Sequence, residues 1–255
     1  MKKVLLLIDA DMFAFIACSS REQEIDWGDG IWTLHVNFEE AKATFRDMVD
    51  SAIDRALTLL MKDVDFNVLF CLSAQDGNYF RKRVLPTYKA ARAGKRKPVC
   101  YKALLEWLKM AYKVVQVPHL EADDVMGILA TKNPRASIII SGDKDMKSVP
   151  SWQYDFIHDE FSDVTEEEAD RNFLMQALMG DATDGYSGCP SIGKVTAAKL
   201  LDKDCSWQTV VAAYKSKGLS EAEALANARC ARILRNTDYD MKEKRVILWK
   251  PKDAR

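Results

Sequence analysis

Four short apolar runs in the first part of the chain have the length of buried β-strands. They are VLLLI at 4–8, FNVLFCL at 66–72, YKVVQV at 112–117 and SIIIS at 137–141. Between them, apolar residues recur at helical spacing in 39–62 and again after Pro98. This alternation predicts an α/β fold, a three-layer lobe with a mostly parallel sheet, over about 1–160. Alternating apolar residues in 25–38 predict an additional edge hairpin.

The pattern changes in the last third of the chain. From about residue 165 the strand-like runs give way to helical periods, apart from RVILW near the end. A length of 255 residues suits a chain with two lobes. We therefore predict an α/β domain over 1–160 and a helical region over 161–255. No low-complexity linker separates them, so the two should share an interface.

Composition narrows the class of protein. The chain is 48% hydrophobic and 29% charged, with a formal net charge of -1, which is ordinary for a globular fold. Its six cysteines form no CxxC pair and it has three histidines, which argues against zinc and for free thiols in a reducing compartment. The apolar run before Asp9 is too short for a signal peptide or a membrane span. We expect a cytoplasmic protein without a membrane partner.

Acidic residues cluster where the predicted elements begin or end. The four clusters are Asp9 with Asp11, Glu121 with Asp123 and Asp124, Asp143 with Asp145, and Asp181 with Asp184. The carboxyl ends of parallel strands form the usual ligand-binding edge of an open α/β sheet, and two of the clusters follow strands. Acids in a first helical turn also favour the helix dipole, so a single cluster is ambiguous.

Taken together, the four acidic clusters need a counter-charge. Apart from Lys144 and Lys147, no basic residue lies close to them in sequence, and so many carboxylates in one place would repel one another. Oxygen ligands of this kind suit Mg²⁺, and Mn²⁺ can substitute. Two metal ions about 3.5–4 Å apart are a standard device for displacement at phosphorus. The acids therefore predict a phosphoryl site with two Mg²⁺ ions.

Basic residues crowd the segment 81–97, in which eight of seventeen residues are Lys or Arg. A solvated surface loop would explain a lone basic run. This run, however, follows a strand whose end should face the acids, and Tyr88 lies within it. Cationic and aromatic side chains together are typical of binding sites for single-stranded nucleic acid.

The stretch GDATDGYSGCPSIGKVTAAKLL at 180–201 combines a carboxylate pair with a glycine turn. Gly188, Ile192 and Gly193 lie in a tight turn before a helix that begins near Lys194. A helix N-terminus offers free N–H groups and a positive dipole to a phosphate, and Lys199 lies one turn further along. We therefore expect one segment to serve both the metal centre and duplex binding.

In this order, five segments resemble the 5′-nuclease (flap endonuclease) family, most closely the short 5′→3′ exonucleases of tailed phages. They are LLLIDAD, FR…LPTYKAAR, EADDV, SGDKD and GDATDGYSGCPSIGKVTAAKLL. The resemblance implies a PIN-like 5′-nuclease fold with a basic arch at about 77–100. It also implies a helix–three-turn–helix at about 180–202 that holds duplex DNA.

The resemblance also implies residue roles. The metal-binding acids would be Asp9, Glu121, Asp123, Asp124, Asp143, Asp145, Asp181 and Asp184. Lys89 and Arg92 would steer or polarise the scissile phosphate, with Lys82 a further candidate. The DNA-binding residues would be the base-stacking Tyr88 together with Arg81, Arg83, Gly188, Ile192, Gly193, Lys194 and Lys199. In this family the turn can also hold K⁺ through backbone carbonyls.

The chain departs from the family pattern at two places. The family has an aspartate after its second strand, whereas this strand continues as SAQD. Asp76 is the first acid beyond the strand, and we expect it either to supply the missing carboxylate or to open a turn with Gly77. Ser191 stands where glycine is usual.

The implied activity is metal-dependent hydrolysis of phosphodiesters near DNA 5′ ends, by exonuclease or 5′-flap endonuclease action, in phage DNA replication or degradation. The expected partner is duplex DNA, with RNA in RNA/DNA hybrids as a further substrate, and the expected state is a monomer. Three alternatives remain. A haloacid-dehalogenase-like phosphatase would place its last acids after a strand, whereas Asp181 follows a helical run. A non-catalytic DNA-binding protein would gain nothing from acids that repel DNA. A PIN-type ribonuclease would share the acids but lack the helix–turn–helix.

Overall fold

A six-stranded sheet forms the centre of the protein. The computed structural model describes residues 3–60, 64–92 and 94–251. The strands lie in the order β5-β4-β1-β6-β7-β8, all parallel except the edge strand β8. Their bounds are β1 Val4–Asp9, β4 Phe66–Leu72, β5 Val114–Gln116, β6 Ser137–Ile140, β7 Trp152–Asp155 and β8 Glu160–Asp163. The four predicted strands are confirmed as β1, β4, β5 and β6.

Helices cover both faces of this sheet. They are α1 Ala10–Ser19, α2 Phe38–Leu60, α3 Arg81–Val84, α4 Tyr101–Ala111 and α5 Ala122–Lys132. Along β1, Leu6 and Ile8 join one buried cluster with Phe13 of α1, whereas Leu7 joins another with Met126 of α5. Successive side chains of a strand point to opposite faces, so β1 is buried on both sides. The predicted three-layer α/β fold is confirmed.

Several details differ from the sequence prediction. The hairpin of β2 Gln23–Gly28 and β3 Ile31–His35 forms its own two-stranded sheet and does not extend the main one. The four-residue strands β7 and β8 were not predicted, because their mixed polar and apolar residues do not form a continuous run. The predicted helical segment 39–62 corresponds to α2, and its last two residues, 61–62, lie outside the described residues.

Within the described residues, four α-helices build the C-terminal part. They are α6 Glu166–Met179, α7 Lys194–Lys203, α8 Trp207–Ser216 and α9 Glu221–Ala231, followed by the short strands β9 Tyr239–Asp240 and β10 Arg245–Val246. Their core contains Phe173, Val210 and the fully buried Tyr214, whose hydroxyl donates to the Ala177 carbonyl. Tyr88 of the basic segment also packs in this core, and the boundary near residue 160 stays a prediction. Within the described residues, no helix has the length and apolar character to cross a membrane.

Candidate active site

A cleft of about 1240 Å³ opens at the carboxyl ends of β1, β4 and β6. The basic segment and the loop between α6 and α7 contribute to its walls. The acids that line it are Asp9, Asp11, Glu106, Glu121, Asp123, Asp143, Asp145, Asp181 and Asp184. The structure therefore brings seven of the predicted metal-site acids to one cavity, through parallel strands that end together and a loop from the helical part.

The innermost acids are crowded. Asp9 is 5% exposed and accepts a hydrogen bond from the Ser141 hydroxyl at 2.7 Å. Burial, together with the charges of Asp11 and Asp143, raises the pKa of Asp9 to about 7. Burial and the charges of Asp143 and Asp9 also raise the pKa of Asp123 well above its usual range. Repulsion of this kind is what a bound cation relieves.

The second group of acids lies nearer the helical part. Burial and the charge of Asp143 raise the pKa of Asp145 to about 6. Asp181 accepts hydrogen bonds from the backbone N–H groups of Thr183 and Asp184, which orders the loop after α6.

The donor set fits a divalent cation, because it consists of carboxylate oxygens that repel one another. Within the described part of the chain, no three ligand-type side chains are already gathered around one point. Two of the acids are instead held by bases: Lys89 donates to Glu121, and Arg92 donates to Asp184.

The basic segment crosses the cleft and contacts both parts of the protein. Lys89 has a left-handed backbone (φ 53°), and its N–H donates to the Asp184 carbonyl at 2.7 Å. The Thr87 hydroxyl donates to the Gly185 carbonyl. The ammonium of Lys89 also lies 3.5 Å from the Asp184 carboxylate. Lys82 lines the same cleft. The segment thus supplies a counter-charge for Glu121 and Asp184, which have no basic residue beside them in sequence.

Arg81 corrects two predictions. It is 3% exposed, so it is not available to DNA, and it donates two hydrogen bonds of 2.7 Å to Asp124 and one of 2.8 Å to Glu121. Its remaining donors reach the carbonyls of Cys230 and Arg232. Asp124 is fully buried and does not line the cleft, so the structure places it as the partner of Arg81 and not among the metal-site acids.

Two more predicted DNA contacts lie elsewhere than expected. Tyr88 is 3% exposed, and its hydroxyl donates to Glu121 at 2.8 Å, so its ring is not free to stack on a base. Arg83 points away from the cleft and lines a separate depression with His119 and Arg229. Because α3 is a helix, residues two positions apart face different directions. Sequence alone did not show which face was inward.

Asp76 is placed as a turn residue. Its side chain is exposed, accepts a hydrogen bond from the Asn78 N–H at 3.0 Å, and does not line the cleft. The acid that reaches the end of β4 is Asp11, which the sequence placed in the first acidic cluster with Asp9 but which was not among the individually predicted metal-binding acids. The Tyr101 hydroxyl, also unpredicted, donates to Asp11 at 3.0 Å. The sequence signal that could have indicated Asp11 was the pair of aspartates one residue apart, Asp9 and Asp11, directly after the first strand.

The predicted turn between α6 and α7 is tightly built. Gly180 and Gly188 have φ values of 70° and 66°, and an added Cβ on either would lie 2.3 Å from backbone of the other. Ser191 adopts φ 62°, a left-handed conformation that explains why glycine is usual there. Ile192 is buried.

The first turn of α7 faces outward. Gly193 is its N-cap, makes no side-chain capping bond, and has no other atoms within 4 Å of an added Cβ. Lys194 and Lys199 are exposed on the same helix. Free N–H groups with exposed cations can bind a phosphate.

A three-layer α/β fold with an acid-lined cleft under a basic segment defines a nuclease of the 5′-nuclease type. The model of the 5′-3′ exonuclease N-terminal resolvase-like domain matches residues 5–174. The chain belongs to this family, whose members are hydrolases of nucleic acids. The family excludes the phosphatase alternative.

Relatives match the chain over nearly its whole length. An exodeoxyribonuclease of Enterobacteria phage T3 is 30% identical, and an exonuclease of Escherichia phage T7 is 29% identical; each match covers 98% of this chain and 94% of the relative. A solved structure of the phage T5 flap endonuclease with DNA and metal ions has a TM-score of 0.63 at 14% identity. The match covers 92% of this chain and 90% of the T5 chain, and it supports the fold assigned here. The matched family model supports a 5′→3′ exonuclease function, and the phage relatives support a phage context.

Proposed function

We propose that this protein uses two Mg²⁺ ions to hydrolyse phosphodiester bonds near the 5′ ends of duplex DNA, both at free ends and at 5′ flaps. Mn²⁺ is expected to replace Mg²⁺, and RNA in RNA/DNA hybrids is a further expected substrate. The observation that carries the proposal is the cleft in which buried, mutually repelling carboxylates lie beside Lys89 and Arg92.

The acids would hold the metal ions. Asp9, Asp123 and Asp143 form one crowded group, and Asp145 and Asp181 extend it towards the helical part. When bound, the ions supply Lewis acidity for activating water and stabilising the leaving oxygen. Among the described residues that line the cleft there is no histidine, and we assign the activation of water to the metal ions.

The basic segment would bind and orient the reacting phosphate. Burial opposes the charge of Lys89, but Glu121 and Asp184 keep its pKa above the usual value, so it remains a cation. A DNA phosphate entering the cleft would compete with these carboxylates for Lys89 and Arg92. Release of Glu121 and Asp184 from their bases would free both carboxylates for metal ions, which couples substrate binding to assembly of the site.

The turn before α7 would hold the duplex at a distance from the cleft. The open N-terminus of α7 would bind a backbone phosphate, with Lys194 and Lys199 adding charge. Carbonyl groups of the turn around Gly188, Ile192 and Gly193 would hold K⁺. The protein is expected to act as a monomer.

The direct test is digestion of a 5′-labelled duplex and of a 5′-flap substrate with and without Mg²⁺, with the products sized. Short products from the 5′ end, and flap release at the junction, are expected only with the metal. Asp145→Asn and Asp184→Asn should abolish cleavage while DNA affinity stays equal or improves, since each removes a charge that repels DNA. Full activity of both variants in Mg²⁺ would refute the two-metal assignment.

A further inference from the structure

The central strand β4 reaches the cleft without an acid of its own. It ends at Leu72, and Ser73 and Ala74 follow. In the parallel pairing with β1, Cys71 lies opposite Asp9. The end of β4 therefore lies beside the buried carboxylate of Asp9, and neither Ser73 nor Ala74 offers an anionic oxygen there.

A carboxylate from the neighbouring helix occupies this position. Asp11 lies in the first turn of α1, and its Oδ2 accepts the backbone N–H of Ser73 at 2.7 Å. Its Oδ1 accepts the hydroxyl of Tyr101, which is 7% exposed, at 3.0 Å. Asp11 is half-buried and lines the cleft with Asp9. Its two hydrogen bonds come from two different elements and hold the carboxylate at the end of β4.

We infer that Asp11 supplies, from helix α1, the metal-site carboxylate that β4 lacks. A carboxylate has about four acceptor positions, and the two hydrogen bonds leave acceptor capacity on the cleft side. Its charge also adds to the field at Asp9. The inference deepens the proposed function and rests on it.

The alternative source of this carboxylate is Asp76, which differs from Asp11 in its exposure, in its hydrogen bonds and in its position relative to the cleft. Asp76 is exposed, its side chain closes its own turn through Asn78, and it lies outside the cleft. It is therefore a matched control: it is the same residue type, located in the loop after β4, and its amide variant removes the same charge.

The experiment measures Mn²⁺ binding by titration calorimetry, without DNA, on the full chain and on Asp11→Asn and Asp76→Asn. Asparagine keeps the shape of aspartate and an acceptor for Ser73. Asp11→Asn should weaken the Mn²⁺ affinity about tenfold or more, by analogy with groups that support metal ligands. Asp76→Asn should stay within about twofold of wild type.

A purely structural role for Asp11 would give a different result. The melting temperature in EDTA would then fall in Asp11→Asn while the Mn²⁺ affinity stayed at the wild-type value, and that outcome overturns the inference. The inference expects the melting temperature in EDTA to stay equal or rise, because repulsion with Asp9 is relieved.

Failure of the inference is distinguishable from failure of the proposed function. Wild-type protein that bound no Mn²⁺ would overturn both. Wild-type binding with equal affinity in Asp11→Asn would overturn the role of Asp11 alone. If Asp11→Asn did not fold, Asp11→Ser, a smaller neutral side chain, takes its place with the same expected loss of affinity.

Discussion

Replacing Arg81 by methionine removes the cation from a buried group of acids while keeping an apolar side chain of similar length. Arg81 is 3% exposed, and its five hydrogen bonds to Asp124, Glu121 and the carbonyls of Cys230 and Arg232 have lengths of 2.7–2.9 Å. Asp124 is fully buried.

The expected loss of stability follows from these contacts. Removing one partner of a buried ion pair leaves an uncompensated charge and typically costs about 3–5 kcal/mol. Here Asp124 loses its cation, Glu121 loses one of its two cations, and two carbonyls lose a donor, so Arg81→Met should lie at the upper end of that range. Such a loss is a large fraction of the ordinary stability of about 5–15 kcal/mol. It would also loosen the link between α3 and the end of α9.

Urea denaturation at pH 7 in EDTA measures the effect. Arg83→Met is the control, because this side chain is exposed on the same short helix and should change the free energy of unfolding by no more than about 0.5 kcal/mol. Adding Asp124→Asn to Arg81→Met should recover part of the loss, since the unpaired charge is then removed. A loss in Arg81→Met no greater than that in Arg83→Met would refute the reasoning.

Four further substitutions test other parts of the structure. Lys89→Ala should lower the single-turnover cleavage rate at saturating DNA by at least about tenfold, or roughly 1.4 kcal/mol; a change in affinity alone would contradict its catalytic role. Lys194→Ala should mainly weaken duplex binding and reduce the slope of log affinity against log salt by up to about one, which a salt titration measures. Gly188→Ala should destabilise more than Gly218→Ala in urea denaturation, since Gly218 has the same left-handed backbone but open space around it, and equal losses would contradict the close approach seen here. A hydrogen bond from Arg96 holds the pKa of Glu22 below its ordinary 4.5. Any difference in the free energy of unfolding between wild type and Glu22→Gln should therefore be present above pH 4.5 and disappear as the pH falls through the lowered pKa. A difference that persists in acid would contradict this.

Much of the fold follows from local pattern. Continuous apolar runs such as 4–8 and 137–141 can be satisfied only by burial on both faces, which is why they predicted the inner strands β1 and β6. The short strands β7 and β8 carry no such run. Their position depends on pairing with β6 and with each other, which is a long-range property.

The acids of the cleft were also predictable, because the carboxyl ends of parallel strands meet at one edge. Asp9 and Asp143 follow neighbouring strands β1 and β6, so their convergence needed only the strand order. The segment around Asp181 was assigned to the same site through its order along the chain and the family resemblance.

The direction of individual long side chains was decided only by tertiary packing. Arg81 and Tyr88 lie in a basic run that resembles a solvated segment, yet both point inward, because Glu121 and Asp124 offer buried carboxylates that only folding brings within reach. In the same way, sequence order offered Asp76 either as the carboxylate at the end of β4 or as a turn residue, and the pairing of β1 with β4 placed Asp11 there instead. Sequence specifies which charges are present and which elements carry them. The packing of those elements decides which charges become neighbours. A buried charge is neutralised only by a partner at hydrogen-bond distance, and for Arg81 that partner comes from a segment far away in sequence.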